Sequence, residues 1–159
     1  MTNRHCYLFA LEVKPMEIGG IYSDLPLHCT LMHRFWSGFS PDILADKIRN
    51  TLESTPQVLL TAHEHLLLGP KQVAVSELVF TAELKKLHMQ LFELLNDFGV
   101  EYTAPEWVGD GYRAHITERK DASLPVGDEH LSKTIYLIEV EVPGHDHERL
   151  VRAKFTLSS

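Results

Sequence analysis

Cysteine is scarce in this sequence, and positive charge is outweighed. The two cysteines, Cys6 and Cys29, each sit in an apolar, strand-like stretch, and neither belongs to a CxxC pair. That excludes a disulfide framework and a thiolate zinc site, and two reduced, buried thiols are expected. No uninterrupted apolar stretch follows a basic start, so no secretory signal is expected. No run approaches the ~18 apolar residues that a membrane span needs. No low-complexity tract or linker divides the chain, so one domain over 1–159 is expected. Lys and Arg number 15 against 22 Asp and Glu, a formal charge of −7. A chain so acidic binds duplex nucleic acid poorly, because that affinity comes from basic residues releasing counterions. A short nucleotide in a local basic pocket remains open to it. The expectation is a soluble, cytoplasmic protein with no membrane partner.

What is present suits a packed globule. Hydrophobic residues make up 44% of the 159 and charged residues 23%, which excludes wholesale disorder. Segments 5–13 (HCYLFALEV), 27–36 (LHCTLMHRFW), 57–62, 72–80 (QVAVSELVF), 111–119 (GYRAHITER), 134–142 (TIYLIEVEV) and 150–157 (LVRAKFTL) read as strands. Between them, 14–26 carries two prolines and a Gly-Gly pair and reads as a loop. Ser40-Pro41 supplies a cap and a first-turn proline for a helix reaching about residue 54, with Leu44, Ile48 and Leu52 inward. A second helix runs from a Thr81 cap to a Gly99 stop, with Leu84, Leu87, Leu91, Leu94 and Phe98 as its apolar stripe. Strands joined by hairpins, with helices between groups, predict an α+β domain with antiparallel sheets.

Ten histidines are the unusual feature. His28-Cys29-Thr30 lies in one strand candidate and His115-Ile116-Thr117 in another. In a strand, residues i and i+2 share a face, so each His stands beside its Thr. The opposite faces carry Leu27, Cys29 and Leu31 in one case and Tyr112, Ala114 and Ile116 in the other, suitable for a core. The same alternation puts Arg34 with His28 and Thr30, and Arg113 and Arg119 with His115 and Thr117, while His33 points the other way. Two such strands side by side would form a small positive trough suited to a phosphate. Chance alone gives roughly one His-x-Ser/Thr in a chain of this composition. Three occur, and the third, His130-Leu131-Ser132, lies in a polar stretch and reads as surface. The aromatic residues Tyr22, Trp36 and Tyr112 are candidates to stack on a base, and core or rim packing is the expected role.

With these motifs, the sequence resembles the 2H phosphoesterase superfamily, which includes the 2′-5′ RNA ligase-like proteins and cyclic nucleotide phosphodiesterases. That group is defined by two His-x-Thr/Ser motifs, one in each half. The resemblance extends to a first strand like CYLFALEV, a helix like AELKKLHMQLFELLNDFG before the second motif, and a closing strand like LVRAKFTL. It implies two pseudo-symmetric lobes of antiparallel sheet with outer helices, flanking a central cleft. It also implies that His28, Thr30, His115 and Thr117 are catalytic and line that cleft. Arg34, Arg113 and Arg119 are candidates for substrate charge. The chain departs from the pattern in two places. Leu31-Met32-His33-Arg34-Phe35 follows the first motif where a more apolar, glycine-containing stretch is common, and Glu118 follows Thr117 where an apolar residue is usual.

The implied activity is metal-independent hydrolysis, or the reverse joining reaction, on 2′,3′-cyclic phosphate or 2′-5′ phosphodiester groups of RNA ends or small nucleotides, with no cofactor. Two imidazoles on opposite sides of phosphorus can serve as base and acid, and an unperturbed pKa of about 6.5 makes both forms accessible. Two other readings stand beside it. One is a non-catalytic module that holds an RNA end or nucleotide in the same cleft. The other is a zinc hydrolase built on His63-Glu64-His65 or His145-Asp146-His147, whose paired imidazoles have strand spacing but lack HExxH.

Overall fold

The computed structural model describes residues 4–119 and 122–159. Among them, ten strands form one curled sheet and two α-helices pack against it. In chain order the elements are β1 (His5–Glu12), β2 (Ile21–Tyr22), β3 (His28–Ser37), α1 (Pro41–Glu53), β4 (Val58–Leu68), β5 (Val73–Leu78), α2 (Ala82–Asp97), β6 (Glu101–Tyr102), β7 (His115–Thr117), β8 (Glu129–Ser132), β9 (Thr134–Val140) and β10 (Arg149–Thr156). The sheet order is β2-β10-β9-β1-β3-β7-β5-β4-β8, with β6 added on β3, and the strand pairs are antiparallel. The α+β class is as the sequence predicts. The two expected lobes are halves of one sheet, joined where β3 meets β7.

The core explains the apolar strands. Tyr7, Phe9 and Leu11 of β1 point to the helix side, where they meet Leu44, Ile48 and Leu52 of α1 and Leu84, Leu87, Leu91 and Leu95 of α2. The other face of β1, Cys6, Leu8 and Ala10, packs with Tyr136, Ile138 and Val140 of β9 under Met16 and Leu25 of the 14–26 loop. A strand buried on both faces reads as a continuous apolar run, and this one does.

Local chemistry sets the helix ends. The Thr81 hydroxyl accepts the Leu84 amide at 3.2 Å, and Gly99 stands at φ 70°, where a side chain would be strained. Ser40 holds the N-cap position of α1, but its hydroxyl makes no capping bond. In α2 Leu95 is buried and Leu94 only half-buried, a one-residue turn of the expected stripe.

Three elements differ from the sequence prediction. β4 runs on to Leu68, well past residue 62, because its outer half pairs with β5 in a protruding hairpin. The strand expected over 111–119 shrinks to His115–Thr117, since Gly109–Gly111 forms a single 3-10 turn. β8 arises in a stretch read as polar loop, pairing Val58–Thr61 of β4 at the sheet edge. His130, read as a surface residue, is therefore half-buried there.

Candidate active site

The two His-x-Thr segments lie on neighbouring strands. β3 and β7 pair antiparallel with Cys29 opposite Ile116. Both of these residues point into the helix-side core. One step to either side, His28 stands across from Thr117 and Thr30 across from His115, all on the face away from the helices. The two histidines are thus diagonal neighbours on adjacent strands, a relation spanning about 7–8 Å between backbones. The same face continues onto β5, where Glu77 pairs with His115 and Val75 with Thr117.

Each imidazole is held in the same way. His28 Nδ1 lies 2.8 Å from the Pro26 carbonyl, and His115 Nδ1 lies 2.8 Å from the Arg113 carbonyl. A carbonyl only accepts, so Nδ1 carries the proton in both rings and Nε2 is left for chemistry. The Thr30 hydroxyl donates to His28 Nε2 at 3.3 Å. Burial pushes the His28 pKa down to about 4, and Arg119, His115 and Arg149 push the same way against the Pro26 bond. The His115 pKa is also lowered, chiefly by burial, with Arg113 adding to this and the Arg113 carbonyl and Glu77 opposing it.

The 14–26 loop orients more than one group. Its Leu25 carbonyl accepts Arg119 Nε at 3.1 Å, and its Ser23 carbonyl accepts Arg149 Nη1 at 2.5 Å. With Pro26 on His28, neighbouring carbonyls of one loop fix an imidazole and two guanidiniums. Arg113 is turned to Glu77, with Nε at 3.0 Å and Nη2 at 2.5 Å. Arg34 does not join the histidines. It bonds Glu141 at 3.3 Å, six residues along β3 from His28.

His33 corrects the simple alternation. β3 pairs Thr30 with Ala10 but Met32 with Phe9, and the register slips again before Phe35 meets Tyr7. These bulges put Leu31 and Met32 both in the core and bring His33 to the histidine face. Its ring centroid lies 6.4 Å from that of His115 and 6.1 Å from Trp107.

Behind the site, His88 of α2 is fully buried and satisfied at both nitrogens. Nδ1 donates to the Leu31 carbonyl at 2.8 Å, and Nε2 accepts the Gly109 amide at 2.9 Å. It stacks on Tyr112 with centroids 3.9 Å apart, and the Tyr112 hydroxyl donates to the Thr30 carbonyl at 2.8 Å. Tyr112 is therefore core packing, as expected, and Tyr22 and Trp36 border the second core cluster.

One histidine of each alternative zinc pair is otherwise engaged. His65 Nδ1 is 2.8 Å from Glu118, and His145 Nδ1 is 3.1 Å from Glu148. Among the described residues no group of three His, Cys, Asp or Glu is placed to hold a metal ion. A concavity of about 820 Å³ lies beside the start of α1, lined by Arg4, His5, Asp42, Glu139 and Arg152. None of the four motif residues lines it, and its Glu139 is already paired with His5 and Arg152.

No protein-family model and no curated protein sequence matches the chain. Solved structures do. A crystal structure of a phosphoesterase aligns with a TM-score of 0.63 at 16% identity, covering 99% of this chain and 100% of that one. E. coli LigT complexed with 3′-AMP aligns with a TM-score of 0.62 at 16% identity, over 99% and 100%. The Thermus thermophilus protein TT0787 aligns with 0.54 at 17% identity, over 95% and 97%. The chain has the LigT fold. Within that fold, the residues that sequence reasoning missed here are His33, His88, Trp107 and Arg149. No local pattern marks them. His33 needed the bulge, and the others are brought in by the 3-10 turns, α2 and the β10–β2 pairing. Among the described residues no helix is long and apolar enough to cross a membrane.

Proposed function

We propose that the chain is a phosphoesterase of the 2H type, opening 2′,3′-cyclic phosphate or 2′-5′ phosphodiester groups of RNA ends or small nucleotides. The observation that carries this reading is the matched pair of imidazoles. Each has its Nδ1 proton tied to the carbonyl two residues back, and they sit beside threonines on adjoining strands. The LigT structures obtained with 3′-AMP, ATP and NADP+ support nucleotides as the ligand class.

In this reading His28 is the general base. Burial holds its ring neutral, with Arg119, His115 and Arg149 acting the same way. Its Nε2 releases the Thr30 hydroxyl and takes a proton from water as the water oxygen attacks phosphorus. The bond from phosphorus to one ribose oxygen breaks. His115, whose Glu77 neighbour favours imidazolium, gives its Nε2 proton to that oxygen. The freed Thr30 hydroxyl and that of Thr117 donate to the non-bridging oxygens as charge builds, and Arg119 and Arg149 lie near enough to balance it. The product is a nucleoside monophosphate. With a ribose hydroxyl in place of the attacking water, the same two proton transfers join a cyclic end to that hydroxyl.

The test is incubation with the four nucleoside 2′,3′-cyclic monophosphates, products being identified by phosphorus NMR with and without chelator. Turnover is expected, insensitive to chelator. It should drop roughly 10²–10⁴-fold in each of His28→Ala and His115→Ala, the usual worth of one general acid or base, with unchanged circular dichroism. Near-normal turnover in either variant removes the mechanism. Binding without product in the unaltered chain would favour the non-catalytic module.

A further inference from the structure

Beside His115 is a pocket that the two-histidine chemistry does not use. It has a volume of about 210 Å³, and His33, Trp107, His115 and Thr117 line it together with the residues on either side of the β4–β5 hairpin turn, Leu68, Gly69, Val73 and Val75. We propose that this pocket is a nucleobase subsite, in which Trp107 and the β5 valines hold the base of the substrate and His33 reads its edge. The inference rests on the phosphoesterase reading and fixes which side of the phosphate the nucleoside occupies.

Four observations converge on that occupant. The volume is below the roughly 300–1,000 Å³ of pockets that take a whole ligand, and it suits one ring system. The walls are mostly apolar and combine an indole with the β-branched Val73 and Val75, surfaces on which a base can stack. Two of its walls, His115 and Thr117, also belong to the histidine face, so a ring here is connected to a phosphate there through one ribose. Finally, His33 is the polar member with unused capacity. Its Nε2 is buried without a hydrogen-bond partner among the described residues, which leaves Nδ1 as the ring nitrogen a base can reach. Burial, with His115 and His88 nearby, keeps the ring neutral, its pKa lowered to about 4. A neutral imidazole offers hydrogen bonding without attracting a second phosphate. The residue sits where the sequence departs from the common pattern after the first motif, so the selectivity belongs to this chain. A base on this side also sets the ribose oxygens next to His115, which agrees with His115 as the acid.

The chain has two tryptophans, Trp36 and Trp107, so Trp36→Phe leaves Trp107 as the sole indole. Titrating that variant with 3′-AMP should quench its fluorescence saturably, while inorganic phosphate or ribose 5-phosphate should not. Equal responses to 3′-AMP and phosphate, or none to 3′-AMP, overturn the subsite. Kinetically, the preference for a nucleoside 2′,3′-cyclic phosphate over the cyclic phosphate of methyl riboside, which lacks a base, should fall by roughly 5- to 150-fold in Trp107→Ala, the range of one stacked base. His33→Phe should change the ranking of the four bases, with kcat less affected than KM. A loss of the same size on both substrates makes Trp107 merely structural and overturns the proposal. If the unaltered chain turns over neither substrate, the phosphoesterase reading fails and the fluorescence titration alone decides the pocket.

Discussion

His28 and His115 share one hydrogen-bonding scheme but differ in their neighbours, and the difference should be visible in rates. The proposed catalysis needs His28 neutral and His115 charged. In the free protein that state is most populated above the His28 pKa of about 4 and below that of His115, which is itself lowered from 6.5. The expected kcat/KM profile is a bell with its maximum on the acid side of neutrality. The kcat profile should peak at higher pH, because a bound phosphate anion favours the His115 imidazolium. Stopped assays across pH 4–9 check both, and a kcat/KM that climbs steadily into alkali would contradict the assignment. The pairing of each His with its Thr was legible because strand alternation has a fixed period of two. His33 was not, since a bulge shifts that period without leaving a mark in composition. Arg149 and Trp107 were not legible either. Each reaches the site from an element whose position is set by distant pairing.

At the level of elements, α2 does two jobs. Its leucine stripe fills the core, and its His88 ties the bulge of β3 to the turn before β7. Removing that ring leaves a buried carbonyl and a buried amide without partners, at about 1–3 kcal/mol each. His88→Ala should therefore lose at least ~2 kcal/mol in urea unfolding and lower turnover, because the β3 bulge and the turn before β7 lose the ring that ties them together. Thr81→Ala at the other end of the same helix removes only a cap. It should cost about 1 kcal/mol and leave turnover unchanged. Both helices were readable from their stripes and end residues. The sheet was less so. β8 carries polar residues at an edge, where no apolar alternation is required, and β7 was overestimated because the chain leaves the Gly109–Gly111 turn and joins the ladder only at His115.

For the whole molecule, the histidines make stability depend on pH in a defined direction. The pKa values of His28, His33, His88 and His115 are all lowered in the folded state, with burial the leading cause. The unfolded chain therefore takes up protons first as pH falls. Stability should be full above about pH 6.5, decline as pH drops toward 4, and stop declining from this source below that. For His28 alone, a fall from 6.5 to about 4 corresponds to roughly 3 kcal/mol. Thermal melts between pH 7.5 and 4 should show a falling Tm, and His28→Ala should flatten part of the slope. A Tm independent of pH in this window would show that these rings are solvated in solution. The acidic composition was legible as a global property. The concentration of Arg119 and Arg149 at one loop was not, because backbone carbonyls gather them and no charge run announces it.

The seam between β3 and β7 has a consequence for how such a chain can change over time. Neighbouring strands sit about 4.8 Å apart whatever side chains they carry. The spacing between the two imidazoles is thus measured out by peptide units, and the rest of the sequence is free to drift around that ruler. A similarity of 16% in residues with nearly complete overlap in length is what such an arrangement permits.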